Sequence, residues 1–211
     1  LDRADAYIGV MIDDLITRGT SEPYRMFTSR AEYRLLLRAD NADQRLTDIG
    51  IEIGCVGAAR SRFWQGKKVA IKEGQNLLRS LRASPEELKQ RGLAVNGNGL
   101  SRSAAELLGR SDLQRAVIAE IWPELSRIRP DVYEQLEVEA RYAGYIDRQA
   151  LDIAAFRQDE ALILPEEIDY DSMTNLSNEV REKLSQIRPH TLGAAARISG
   201  ITPAAIFSLL R

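Results

Sequence analysis

The sequence feature that most limits the possible folds is a long helical pattern over residues 130–159, which begins at Pro130 and Asp131. Its apolar residues recur in two rows seven residues apart: Leu136, Ala143 and Ala150 in one row, Ile146 and Ile153 in the other. Two such rows predict one long helix with a single buried stripe. The small alanines favour close packing of that stripe against other helices.

The rest of the chain also favours helices, with glycine and proline marking their ends. We expect further helices over residues 2–18, 58–82, 176–187 and 191–198, and helix starts at Thr47, Ser84, Ser103, Ser111 and Thr202. Ser84 is followed by proline and then by Glu87, which is the pattern of a capping box. Gly19 and Gly200 are expected at helix ends, and residues 96–99 at a flexible turn.

The predicted fold class is therefore mainly α. We expect a multi-helical region, a short extended segment near the N-terminus, and a small C-terminal helical module with a core of Leu192, Ala195, Ile198, Ile201, Ile206 and Leu209. Residues 26–37 are ambiguous, since their alternation suits a short strand and their leucine run suits a helix; we favour extended structure with short pairing. In either conformation Arg34 and Arg38 share one side.

Composition excludes several classes of site. The 211 residues carry a net charge of −2, so bulk charge identifies no partner, and the single cysteine, Cys55, cannot form an internal disulfide. One histidine, His190, makes a zinc or non-haem iron site improbable. No apolar run approaches the ~20 residues of a membrane span. Dinucleotide, Walker and nucleophile-elbow motifs are absent, so we expect no complete active site in these residues.

The segment over residues 22–43, here called the Tyr-Arg segment, suits a nucleic acid. Between Tyr24 and Arg38 it holds four arginines against one acid, and a Tyr-Arg pair occurs in it twice. Arginine presents a rigid charged fork to phosphate, and tyrosine offers a flat face to a base. The alternative is that these arginines pair with Glu32, Asp40 and Asp43 on a solvated face.

The same segment carries a family resemblance. Residues 22–35 (Glu-Pro-Tyr-Arg-Met-Phe-Thr-Ser-Arg-Ala-Glu-Tyr-Arg-Leu) and 38–47 (Arg-Ala-Asp-Asn-Ala-Asp-Gln-Arg-Leu-Thr) resemble the large flavoprotein subunit of the bacterial tRNA wobble-uridine modification complex, formerly called glucose-inhibited division protein A. Residues 142–149, 176–181 and 198–206 are also similar to that family. The resemblance covers essentially the whole sequence and corresponds to the C-terminal part of the family's polypeptide. The sequence starts at Leu1 inside a helical pattern, which is typical of an excised fragment.

The resemblance implies an FAD-dependent enzyme that modifies C5 of the wobble uridine in tRNA with a carboxymethylaminomethyl or aminomethyl group. FAD and NADH would be bound mainly outside these residues. The implied partners are tRNA and a folate-binding GTPase, and the implied full-length protein is a cytoplasmic homodimer. Residues 1–56 would connect to the flavin domain, residues 57–164 would form a helical domain, and residues 165–211 the C-terminal module.

We expect no catalytic, cofactor or metal residues here, and candidate tRNA contacts at two basic places. In the Tyr-Arg segment and just after it the candidates are Arg25, Arg34, Arg30, Arg38 and Arg45; in the C-terminal module they are Arg181, Lys183, Arg188 and Arg197. Two alternatives are open from the residues alone. This part could hold the GTPase with RNA bound elsewhere, or it could brace the flavin domain without direct RNA contact.

Overall fold

The computed structural model describes residues 1–93 and 99–210 and confirms a mainly α fold. Within these residues the α-helices are α1 Tyr7–Thr17, α2 Ala42–Glu52, α3 Ala58–Ser80, α4 Pro85–Gln90, α5 Ala104–Leu108, α6 Arg115–Ile121, α7 Pro130–Ala161, α8 Asn178–Ile187, α9 Leu192–Arg197 and α10 Pro203–Leu209. Two short strands, β1 (Arg82–Ala83) and β2 (Arg102–Ser103), pair antiparallel with Arg82 opposite Ser103. Of the turn expected at residues 96–99, the first three residues lie outside the described ones.

The chain forms two compact units. The first unit combines Leu1–Leu37 with Arg148–Arg211, and the second unit is Arg38–Asp147. The long helix α7 contributes its first half to the second unit and its second half to the first unit.

The second unit has a core of aliphatic residues from short helices packed around α3 and α7. Leu88, Leu107 and Ile118 are almost completely buried in it. The helix starts follow the predicted chemistry. The Ser84 hydroxyl accepts a hydrogen bond from the Glu87 amide at 3.2 Å, and the Glu87 carboxylate accepts one from the Ser84 amide at 2.7 Å. Ser103 likewise caps α5. Each cap satisfies amides that a helix leaves without an internal partner.

The C-terminal helices of the first unit form the predicted small core. Leu192, Ala195 and Ile198 are buried, and the other predicted members pack against them. Hydroxyls of serine or threonine cap α8, α9 and α10. Gly200 lies between the last two helices with a φ of +90°, and Arg188 ends α8 in the left-handed conformation with a φ of +46°.

Helix α1 is unusual because it buries polar residues and exposes apolar ones. The predicted helix is present, and Gly19 follows it with a φ of +65°. Its buried residues include Asp14 and Thr17, whereas Ile12 and Ile16 are 50% and 68% exposed. This inversion places a carboxylate inside the first unit.

Three local predictions are wrong. Residues 26–37 form no strand, because their amides donate to nearby carbonyls. In a 3-10 turn the Arg30 amide donates to Phe27 and the Ala31 amide to Thr28. Further on, the amides of Leu36 and Leu37 both donate to the Tyr33 carbonyl. Thr47 does not start a helix; it is buried inside α2, which begins after Asn41. Helix α6 begins after Gln114, three residues beyond the expected Ser111.

Helix α7 spans the predicted residues without a continuous buried stripe. Leu136 and Ile153 are buried, but Ala143 and Ala150 between them are exposed. The prediction of one stripe is therefore wrong, since the helix buries its two ends in different units.

Candidate nucleic-acid interface

Asp14 is the residue to which the start of the Tyr-Arg segment is attached. Its side chain is 2% exposed and accepts hydrogen bonds from Arg3 and from the Tyr24 hydroxyl, both at 2.8 Å. Arg30 adds an ion pair at 3.3 Å. Because three donors converge on one carboxylate, the irregular backbone between Gly19 and Ala31 has a fixed point inside the first unit.

Arg3 provides the counter-charge on the inner side of this network. Its guanidinium, 2% exposed, contacts Asp13, Asp14 and Glu32, each at 2.8 Å. Burial opposes the charged form of Arg3, but hydrogen bonds to Glu32 and Asp14 outweigh it and raise the pKa of this arginine. Arg3 therefore stays charged and ties α1 to the Tyr-Arg segment.

The pKa of Asp14 moves in the opposite direction. Burial would raise the pKa of this carboxyl, yet the hydrogen bonds from Arg3 and Tyr24 dominate and lower it. Burial and the hydrogen bond to Asp14 together raise the pKa of the Tyr24 phenol. The Tyr24 hydroxyl is thus held as a donor to an ionised carboxylate.

The two Tyr-Arg pairs share one arrangement, in which the tyrosine anchors and the following arginine is exposed. Tyr24 bonds to Asp14, and Tyr33 packs against a small cluster around Val10. Arg25 and Arg34 are both exposed. Neither guanidinium forms an ion pair with any residue that the structure describes, so both charges face solvent.

Arg25 and Arg30 differ although they lie five residues apart. The Arg25 guanidinium carbon lies 5.0 Å from the centroid of the exposed Phe27 ring. Arg30 lies 4.7 Å over the Tyr24 ring, and its Nε donates to the Arg25 carbonyl at 3.0 Å. Arg30 therefore orders the loop that presents Arg25.

Arg38 and Arg45 belong to the second unit and are engaged there. Arg38 pairs with Asp40 at 3.0 Å and lies 5.0 Å over the Tyr142 ring. Arg45 donates to the Asn41 side chain and to the Arg38 carbonyl, both at 3.0 Å. For Arg38 the arrangement is the carboxylate pairing that the sequence left open as the alternative.

The basic candidates of the C-terminal module are also engaged, to different degrees. Arg197 is internal: it bonds to Asp13 at 2.7 Å and to Glu160 at 2.6 Å. Lys183 pairs with Glu179 at 2.6 Å. Arg181 donates to the Asp171 carbonyl and the Asn178 side chain, and Arg188 to the Glu166 carbonyl, so neither of these two cations is neutralised by a carboxylate in the described part of the chain.

Arg3 and the Asp13-Asp14 pair are residues that the sequence analysis missed. The one available signal was a pair of acids in a helix whose other residues are largely apolar. The described residues contain no group of three or more His, Cys, Asp or Glu suited to hold a metal ion. Among them, too, no helix combines the length and apolar character needed to cross a membrane.

Two family models match this chain. A model described as the tRNA modifying enzyme MnmG/GidA C-terminal helical domain matches residues 58–150, and one described as the C-terminal helical bundle of the same enzyme matches residues 152–211. Curated relatives agree with these matches. The tRNA uridine 5-carboxymethylaminomethyl modification enzyme MnmG of Dichelobacter nodosus is 48% identical over 215 residues, and that of Syntrophotalea carbinolica is 49% identical over 209.

Solved structures give the same result. Aquifex aeolicus GidA in its form II crystal superposes with a TM-score of 0.82 at 38% identity, and in its form I crystal with 0.78 at 37%. Both matches cover 100% of this chain. The chain spans about a third of each of these relatives: 32% and 33% of the two curated proteins, and 33% and 32% of the two solved chains.

Proposed function

Because this chain belongs to the MnmG/GidA family of tRNA-modifying enzymes and corresponds to its C-terminal helical part, we propose that it binds tRNA and docks a partner for an enzyme that modifies C5 of the wobble uridine. In that enzyme FAD and NADH are bound mainly by other residues, and the partner is a folate-binding GTPase. The whole protein would act as a cytoplasmic homodimer.

The observation that carries the RNA-binding proposal is the contrast within the Tyr-Arg segment. Arg30 is held at Asp14, while Arg25 and Arg34 keep their charges exposed without an ion pair among the described residues. Uncompensated exposed arginines match the chemistry of phosphate recognition, and the Phe27 ring beside Arg25 adds a face on which a base can stack. We therefore rank Arg25 and Arg34 above the other predicted contacts.

The remaining candidates are ranked by their partners. Arg181 and Arg188 donate to carbonyls or an amide and keep a net charge, so they are secondary phosphate contacts. Arg30, Arg38, Lys183 and Arg197 each pair with a carboxylate, and we assign them chiefly to positioning. Arg45, bonded to Asn41, supports the turn that follows Arg38.

Partner docking is supported by exposed apolar residues in the C-terminal module. Phe207 and Leu210 on and after α10 are 69% and 54% exposed. The two residues are three positions apart and so share one side of the helix end, and adjoining exposed apolar side chains are typical of a contact surface. The functional division into residues 1–56, 57–164 and 165–211 stays a prediction, with the first part connecting to the flavin-binding part.

The test is tRNA binding by the complete protein across a range of salt concentrations. Arg25→Ala with Arg34→Ala should weaken binding and lower the slope of log K against log salt by roughly two counterions. Arg110→Ala is the matched control, since that arginine already pairs with Asp112 at 2.6 Å. If the double variant and the control bind alike, RNA recognition by the Tyr-Arg segment is rejected.

Docking is tested separately by capture of the purified GTPase. Phe207→Ser should reduce capture and leave tRNA affinity unchanged. Reduced capture with intact RNA binding supports both functions at different surfaces. Full capture by the variant rejects α10 as the docking element.

A further inference from the structure

Helix α3 is strongly basic, although the sequence as a whole is slightly acidic. Six of its residues are basic and one is acidic, in a chain whose net charge is −2. Two of the six are engaged with α2: Lys67 pairs with Asp43 at 2.6 Å and Lys68 with Asp48 at 2.7 Å. The other four cations of the helix are Arg60, Arg62, Lys72 and Arg79.

The buried side of α3 fixes which residues face solvent. Trp64, Ile71, Gly74 and Leu78 are the buried residues of this helix. At 3.6 residues per turn, the opposite side carries several exposed residues, and one row of them along the helix is here called the α3 outer row. Its members are Arg62, Gln65, Val69, Lys72, Asn76 and Arg79.

Every polar member of the α3 outer row is a hydrogen-bond donor, and three are cations; one exposed acid, Glu73, lies beside the row next to Val69 and Asn76. Arg62, Lys72 and Arg79 are exposed and form no ion pair within the residues that the structure describes. Their separations along the axis are about 15 Å and about 10 Å. Arg60, four residues before the buried Trp64, lies on the other side of the helix, 5.8 Å from the centroid of the exposed Phe63 ring.

We propose that the α3 outer row is a second RNA-binding surface that grips the phosphate backbone. A nucleic-acid strand offers a phosphate every few ångströms, so cations spaced in this way each find one. Asparagine and glutamine amides commonly join arginine and lysine at phosphates. The choice of RNA as the ligand rests on the proposed function, whereas the position on the second unit is independent of the Tyr-Arg segment.

An acidic protein surface is the competing ligand, and the composition of the row disfavours it. Protein interfaces have an apolar centre, and they are depleted in lysine. The α3 outer row has Val69 as its one large apolar member. Phosphate binding needs no such centre, so an extended row of donors fits RNA better.

The experiment measures tRNA binding by the complete protein against salt, with Arg62→Ala, Lys72→Ala and Arg79→Ala combined. The slope of log K against log salt should fall by about two to three, and affinity should fall to a similar extent for tRNAs of different sequence. The charge-preserving set Arg62→Lys, Lys72→Arg and Arg79→Lys should bind as the unmodified protein does. Glu73→Gln on the same helix should bind at least as tightly.

Three results would overturn the inference. One is an unchanged slope in the alanine variant, with circular dichroism confirming that the helix is intact. Another is a loss of affinity that the charge-preserving set reproduces. The third concerns poly-glutamate, a probe for an acidic protein. If the combined alanine variant loses poly-glutamate binding but retains tRNA binding, the ligand is an acidic protein.

The outcome is separable from that of the Tyr-Arg segment. If Arg25→Ala with Arg34→Ala has no effect while the α3 variant weakens tRNA binding, the α3 surface stands and the first proposal falls. If only the Tyr-Arg variant weakens binding, the α3 surface is rejected.

Discussion

The Tyr24 hydroxyl donates a hydrogen bond to Asp14 at 2.8 Å, and Arg30 covers the same tyrosine ring while pairing with the same carboxylate. One buried acid thus holds both ends of the loop that exposes Arg25. The order of this loop depends on a residue of α1 that lies well before it in the sequence.

Replacing Asp14 by alanine should destabilise the protein by about 3 kcal/mol. The substitution removes one of the three carboxylates that compensate the buried Arg3, and it leaves the Tyr24 hydroxyl without its acceptor. Urea unfolding followed by circular dichroism measures the loss. Asp112→Ala is the control: its carboxylate is 61% exposed, so its removal should leave the stability almost unchanged.

The contribution of Asp14 should disappear in acid. The folded protein holds the pKa of Asp14 below its ordinary value of 3.8. The unfolded chain therefore binds a proton first, and the stabilisation, complete above about pH 5, is lost as the pH falls through the lower, folded pKa. The difference in unfolding free energy between the unmodified protein and Asp14→Asn should narrow below about pH 4; a difference independent of pH from 7 to 3 would contradict this.

Two substitutions at Tyr24 should separate its hydroxyl from its ring. Tyr24→Phe keeps the ring beneath Arg30 and removes the bond to Asp14, which should cost about 1 kcal/mol. Tyr24→Leu also removes the stacking, with a further loss of about 0.5–1 kcal/mol. Equal unfolding free energies for the two variants would show that the stacking contributes nothing.

Two glycines of the second unit should respond oppositely to alanine. Gly66 lies inside α3 with nothing within 4 Å of an added Cβ, so Gly66→Ala should stabilise by up to about 1 kcal/mol. At Gly109 an added Cβ would lie 2.6 Å from the Ala140 carbonyl oxygen. Gly109→Ala should therefore cost about 1–3 kcal/mol, because backbone must move. Thermal unfolding of both variants checks the pair, and a shared direction would be inconsistent with this packing.

The sequence predicts those parts of the fold that local chemistry decides. The capping box at Ser84, the cap and proline at Thr202, and the left-handed glycines after α1 and α9 all follow from single residues. Long helices with a clear period, α3 and α7, are also predicted within a few residues of their ends. In each case the decisive interactions lie within a few positions along the chain.

What the sequence does not predict depends on contacts distant along the chain. Thr47 suits a helix start, yet α2 already begins after Asn41. The threonine is buried inside this helix. The alternation after Met26 suits a strand, but the described residues provide no partner strand there and the amides close turns instead. The sequence pattern of a segment does not show which other segments of the chain lie next to it in the fold.

The same limit applies to the candidate interface. Arg25, Arg30 and Arg34 are equivalent by composition, and the structure separates them through Asp14, which lies 16 residues before Arg30. Arg197 suits a phosphate contact by its surroundings in the sequence, yet Asp13 binds it from 184 residues away. Charge counting locates basic segments; the position of each carboxylate decides which cations are available.

Arg188 closes α8 in a backbone shape that glycine adopts without cost and arginine adopts only under strain. At this position the backbone conformation favours glycine, whereas the positive charge requires arginine. A glycine there would relax the corner and erase its positive charge, so the position offers a direct way to ask which of the two this molecule needs more.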